Sequence, residues 1–258
     1  MPVLDSHTHL NIVGDDPADQ VAAATAVGVD RLVQVGVDLA SSAWGVTVAE
    51  AHPAVLATVA LHPNEAPRLG RLDEALREIE SMAAHPRVRG IGETGLDHFR
   101  TGADGRAAQE HSFRAHIAIA KRYAETLVIH DRDAHDDVLR VLDEEGAPDR
   151  VVMHCFSGDA GFATECVKRG FTLSFAGTVT FANAVPLREA AMLTPLDAIL
   201  VETDAPYLTA MPYRGRPNGS YLIPLTVRAL AETTGTDLAT MCAAISANGE
   251  RMFGPWRG

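Results

Sequence analysis

The sequence predicts an α/β protein folded as a (β/α)8 TIM barrel, with residues 1–258 forming a single domain. Three observations lead there. Short apolar runs alternate with helical patterns eight times, as expected of a parallel sheet wound by crossover helices. A chain of 258 residues is the size at which such a barrel commonly stands as one unit. Finally, histidines and carboxylates follow the runs expected to form strands one, four, five, six and eight, and the carboxyl ends of strands are where barrel chemistry gathers. No internal repeat, linker or low-complexity segment interrupts the pattern.

The first strand opens at Val3-Leu4 and delivers Asp5, His7 and His9, which a period of two turns to one side. An HxH pair can grip a metal, although in isolation it also reads as a solvated polar start. Residues 17–28 give an alanine-rich helix closed by glycine, 31–37 a buried strand, 41–50 a helix and 55–60 the third strand. That strand runs into Leu61-His62-Pro63, where the proline pins the backbone of His62. His62 alone reads equally as a capped loop histidine or a site residue. An amphipathic helix over 72–84 carries acidic residues in its first turn, matching the helix dipole, and leads to the fourth strand.

In that fourth strand, Gly90-Ile91-Gly92-Glu93-Thr94-Gly95 places a carboxylate among three glycines at a strand exit, where other groups can approach closely. A helix over 107–123 holds His111 and His116, which read as ordinary surface or core residues. The fifth strand, 126–129, delivers His130, with Arg132 two residues on, and a helix spans 136–145. The sixth strand, 150–153, delivers His154 and is followed by a helix over 160–168 and a seventh strand over 171–175. A helix over 183–192 tolerates Pro186 in its first turn. The eighth strand, 197–201, ends in Glu202-Thr203-Asp204, and a loop rich in proline, glycine and arginine precedes two closing helices over 224–232 and 237–251.

A composition 47% hydrophobic and 22% charged is that of a globular chain with a sizeable core. The net charge of −12 argues against a passive nucleic-acid-binding module and leaves any phosphate substrate to local cations or metals. Three cysteines without CxxC spacing suggest neither a disulfide framework nor a zinc ribbon and fit a reducing, cytoplasmic setting. No signal-like segment or apolar run of membrane-spanning length is present. No stable protein partner is expected, and a monomer is the expected state.

His7, His9, His130 and His154 with Glu93 and Asp204 form a shell for two divalent metal ions, Glu93 being the bridge. Imidazole with carboxylate suits zinc or manganese, as well as cobalt or nickel; magnesium prefers oxygen but stays open, because the sequence does not fix the ion. Two such ions activate a shared water and act as Lewis acids, so hydrolysis is the natural reaction. Asp204 is the expected general base, the alternative being a ligand role only. Arg132 and Arg214, on loops at the same rim, suit bidentate phosphate binding. Against this, Arg132 can pair with Asp133 or Asp136, and Arg214 can be a plain surface residue.

The motifs Asp5-Ser6-His7-Thr8-His9-Leu10, Gly92-Glu93-Thr94-Gly95-Leu96-Asp97, His130-Asp131-Arg132-Asp133-Ala134, His154-Cys155-Phe156-Ser157-Gly158 and Glu202-Thr203-Asp204-Ala205-Pro206-Tyr207 resemble, in order, those of the TatD family of metal-dependent hydrolases and deoxyribonucleases. The resemblance implies that His7, His9, Glu93 and Asp204 hold one metal, that Glu93, His130 and His154 hold the other, and that His62 faces the substrate. It also implies 3'-5' trimming of single-stranded DNA or DNA ends, with DNA held weakly and locally. The alternative is hydrolysis of a carboxylic ester, amide or lactone, including aminoacyl-tRNA deacylation; a non-catalytic metal-holding barrel is a third reading. Three departures from the family pattern bear on substrate contacts: His98 stands where an aromatic is common, Asn11 where aspartate is frequent, and the 214–220 loop lacks a usual Glu-Pro.

Overall fold

Each apolar run becomes a strand of one eight-stranded parallel sheet, in the order in which the strands occur along the chain. The computed structural model describes residues 2–256. The strands are β1 (Val3–Thr8), β2 (Val29–Val35), β3 (Val55–Val59), β4 (Val88–Asp97), β5 (Thr126–Arg132), β6 (Val151–Met153), β7 (Thr172–Phe175) and β8 (Ile199–Val201). Helices α1 (Leu10–Val13), α2 (Pro17–Ala26), α3 (Leu39–Ala51), α4 (Leu72–Ala83), α5 (Arg106–Tyr123), α6 (His135–Glu145), α7 (Ala160–Lys168), α8 (Val185–Leu193), α9 (Ile223–Thr234) and α10 (Leu238–Phe253) surround them. The strands are buried almost throughout, so they read as continuous apolar runs rather than as alternations. No helix among the described residues is long and apolar enough to cross a membrane.

The barrel closes just past the end of β8. His7 O accepts from Asp204 N at 3.0 Å, and His9 N donates to Ala205 O at 2.9 Å. Beneath this seam the fully buried carboxylate of Asp5 accepts from Thr203 N at 3.0 Å and from the Ser220 hydroxyl at 2.7 Å. Burial pushes the Asp5 carboxyl up to about 7 against these hydrogen bonds. Asp5 therefore ties the first strand to the last, and through them His7 to Asp204.

Two strands run further than the sequence suggests. Glu93 was expected at a strand exit and Arg132 on a loop; instead Glu93 lies mid-strand in β4, and Arg132 ends β5. The cause is the pairing of Gly95 with His130, Leu96 with Asp131 and Asp97 with Arg132. Gly95 makes this approach possible, since at its φ of +136° a Cβ would meet His130 O at 2.0 Å. The register sets His130 beside Gly95, two residues past Glu93.

The β2–α3 loop is the other positioning element. Asp38 caps α3 by accepting from Ser41 N at 2.7 Å, and Ser41 Oγ accepts from Asp38 N at 3.1 Å, completing a capping box. The capped loop then accepts two bonds from site residues: Glu93 N donates to Gly36 O at 3.0 Å and His62 N to Val37 O at 2.8 Å. Asp38→Ala is expected to cost about 1 kcal/mol, lowering the melting temperature by roughly 2–4 °C in a thermal scan.

Candidate metal centre

The strand ends bring five imidazoles around one carboxylate. Glu93 Oε1 lies 2.6 Å from His130 Nδ1, 3.1 Å from His154 Nε2 and 3.3 Å from His62 Nε2. Its other oxygen, Oε2, lies 3.5 Å from His7 Nε2 and 4.0 Å from His9 Nε2. Asp204 Oδ1 completes the second group, 3.4 Å from His9 Nε2 and 3.8 Å from His7 Nε2. Thus the two oxygens of Glu93 face two separate sets of imidazoles. His7, His9 and Asp204 converge closely enough to hold one ion, Glu93 with His130 and His62 do so on the other side, and His154 groups with His7 and Glu202.

The outward nitrogens support ligation. His9 Nδ1 donates to Val35 O at 3.3 Å, His130 Nε2 lies 3.3 Å from Asp97 Oδ2, and His154 Nδ1 lies 2.9 Å from Glu202 Oε1. An acceptor behind the ring draws the proton there and leaves the inward nitrogen with its lone pair, the arrangement that metal-bound histidines generally have. His7 Nδ1 has no such partner among the described residues, and the close contact of His154 with Glu202 is an ion pair without hydrogen-bond alignment. The donor set fits divalent ions.

Charge is strongly coupled here. Burial works against ionisation of Glu93, yet the imidazoles of His154, His62 and His130 outweigh it and hold the carboxyl well below its usual range. Burial likewise disfavours the His154 cation, but Glu202 and Glu93 overcome this and hold its proton well above the ordinary value. His130 and His9 are raised too, burial being outweighed by Asp97 and Glu93 for the first and by Asp204 for the second. His7 moves the other way because it is buried and stacked 3.7 Å from His154.

A cavity of about 1160 Å³ opens over these groups, with His9, His62, Glu93, Arg132, Asp204 and Tyr207 in its wall. Arg132 makes no ion pair with Asp133 or Asp136 among the described residues; its guanidinium sits 4.1 Å from the Phe99 ring centroid. Arg214 lies outside the cavity lining, 4.3 Å from the centroid of Phe181. His111 pairs at the surface with Asp73, whereas His116 is buried and accepts from Leu61 N at 3.1 Å.

Sequence reasoning missed three supporting residues. Glu202 shares the end of β8 with Asp204 but packs, fully buried, against the back of His154. Asp97, at the end of β4, stands behind His130 and accepts from Asn64 Nδ2 at 2.9 Å. The only signal in the sequence was their position, two residues before Asp204 and four after Glu93. Asn64 carried none.

A family model described as TatD related DNase matches residues 4–254. The chain belongs to the TatD family. Among its TatD relatives is an uncharacterized metal-dependent hydrolase of Mycobacterium tuberculosis (strain ATCC 25618 / H37Rv), 46% identical with 98% of each chain covered. A 3'-5' ssDNA/RNA exonuclease TatD of Citrobacter rodentium (strain ICC168) is 34% identical, with 93% of this chain and 92% of the relative covered. The crystal structure of a TatD homologue from Escherichia coli K12 superposes with a TM-score of 0.92 at 25% identity, covering 98% of both chains. As a TatD-family protein this chain is a metal-dependent hydrolase, and its eight-stranded barrel is the fold expected from its sequence.

Proposed function

We propose that this hydrolase is a phosphodiesterase that trims single-stranded DNA or DNA ends in the 3'-5' direction, using two divalent ions. The observation that carries the proposal is the division of Glu93, whose two oxygens each face a different set of imidazoles. The name of the Citrobacter relative supports the substrate class and the direction. His7, His9 and Asp204 would hold one ion and Glu93, His130 and His154 the other, and such ions would supply Lewis acidity and lower the pKa of a water.

The protein's own groups do the rest. Asp204 is held ionised, burial being outweighed by His9, His154 and His7, and so accepts the proton of the attacking water. Arg132, which shares the cavity wall with Arg68 and Arg100, is the cation proposed to orient a phosphate. Beside it Phe99 is 63% exposed, and Tyr207, in the cavity wall with its ring centroid 6.4 Å from that of His9, is 53% exposed, so both offer a face for base stacking. Arg214 serves only more distant phosphates. Because the net charge is −12, the contacts are few and local, and a salt slope of roughly −0.7 to −1.4 is expected for one or two phosphates on a single strand.

The test uses metal-stripped protein resupplied with zinc, manganese or magnesium, incubated with 5'-labelled single-stranded DNA beside carboxylic esters and amides. A descending ladder of labelled products is expected. Turnover confined to carbon esters or amides would overturn the phosphodiesterase reading.

A further inference from the structure

Distance alone does not separate ligands from hydrogen-bond donors among the five imidazoles. His62 Nε2, Glu93 and His130 lie close enough together to hold an ion between them. The group behind each ring decides the matter. Behind His9, His130 and His154 stand acceptors: Val35 O, Asp97 and Glu202. Behind His62 stands a donor, for the backbone N–H of Asn64 donates to His62 Nδ1 at 3.0 Å. A backbone N–H cannot accept, and a neutral imidazole carries its single proton on one nitrogen. With Nδ1 accepting, the proton of His62 sits on Nε2, the atom that faces Glu93 and the cavity.

We infer that His62 is the hydrogen-bond donor of this site rather than a further metal ligand, and that it presents a fixed Nε2–H to an oxygen of the ester undergoing hydrolysis. The ester half of this rests on the proposed function; the tautomer and the ligand count do not.

Asn64 is held so that the donor cannot turn away. His62 O accepts from Glu65 N at 2.8 Å, closing the turn around Pro63. The side chain of Asn64 donates from Nδ2 to Asp97 Oδ2 at 2.9 Å and accepts from the Thr101 hydroxyl at 2.8 Å. One residue thereby turns the protons of two neighbouring rings, whose centroids are 4.6 Å apart, in opposite directions, although both sit on Nε2. Its backbone puts the proton of His62 inward, and its amide holds the carboxylate that draws the proton of His130 outward. His62 acts as a fixed dipole that stabilises charge on the substrate oxygen.

Long-range proton–nitrogen spectra of histidine-labelled protein, assigned with His62→Gln, test the tautomer directly. An unprotonated Nδ1 and a protonated Nε2 are expected at His62, unchanged on zinc loading, while His9, His130 and His154 respond at their inward nitrogens. His62→Gln is expected to bind as many ions as the parent, with affinity within about three-fold. Loss of the His62 Nε2 proton on zinc loading, or loss of an ion in the variant, would overturn the inference. On whichever ester the protein hydrolyses, His62→Leu is expected to lose roughly 10²–10³-fold in kcat, the usual cost of one oxyanion donor, and His62→Gln, which keeps an N–H, at least ten-fold less. Equal losses would remove the donor role. Failure on DNA with turnover of another ester would sink only the phosphodiesterase reading.

Discussion

Glu93→Gln is expected to lower turnover by at least about 10³-fold, the scale on which removing a central charge-stabilising group acts, and to reduce the number of ions bound. The reason is specific to this carboxylate. Its two oxygens face the His7/His9 group and the His130/His154 group separately, so among the described residues it is the carboxylate that contacts both. A glutamine turns an N–H₂ towards one of these groups, where every inward nitrogen also needs an anion or a cation rather than a donor. Whichever way the amide turns, one side of the centre loses its ligand. Asp204→Asn differs, because Asp204 contacts only His7 and His9 and its loss leaves the His130/His154 side intact. Metal content by elemental analysis, read beside turnover of bis-nitrophenyl phosphate, separates the two: the Glu93 variant is expected to lose ions and activity together, the Asp204 variant mainly activity and one ion. A Glu93→Gln protein that retained two ions and turned over within ten-fold of the parent would remove the bridging role.

The gathering of these side chains was legible in the sequence because they obey a one-dimensional rule. His7 and His9 share a face by the strand's period of two, and Glu93, His130, His154 and Asp204 each follow an apolar run. Barrel topology does the remaining work, since parallel strands point all their carboxyl ends to one face. The supporting residues obey no such rule. Asp97 reaches His130 only because β4 and β5 continue pairing past Gly95, and that pairing depends on a close approach between strands, not on apolar periodicity. Glu202 and Asp204 are two residues apart and by alternation would share a face, yet Asp204 adopts a φ of +50°, which turns it into the cavity while Glu202 stays buried behind His154. Asn64 acts on His62 through its backbone N–H, which every residue but proline possesses, and on Asp97 through a side-chain contact between residues far apart in the chain, so its position gave no hint.

The metal-free protein is expected to lose stability as pH rises through neutrality, and ion binding to restore it. His154, His130 and His9 all have folded-state values above the ordinary 6.5, burial being outweighed in each by neighbouring carboxylates. Groups raised in this way contribute stability that is complete below 6.5 and is lost as pH climbs through the folded value. Asp5 acts in the same direction: with its carboxyl raised from 3.8 to about 7, the folded state holds a proton that the unfolded chain has released, and stability falls across that interval. Glu93 and Asp204, depressed below 4.5 and 3.8, contribute in the opposite sense, their stabilisation being lost only as pH falls through their lowered values. The metal-free optimum therefore lies on the acid side of neutrality, and each proton released above it removes about 1.4 kcal/mol per pH unit. Divalent ions at the inward nitrogens of His9, His130 and His154 take the place of those protons, so their apparent affinity rises with pH, by about ten-fold per unit for each proton displaced. Urea unfolding from pH 5.5 to 8.5, with chelator and with zinc, is expected to give a falling curve without the ion and a flatter one with it. Calorimetric titration at pH 7 in buffers of different ionisation enthalpy is expected to show at least one proton released per protein. Zinc affinity that stays level from pH 6 to 8 with no proton release would mean that the inward nitrogens already stand unprotonated, and that the carboxylates behind the rings set orientation without holding charge.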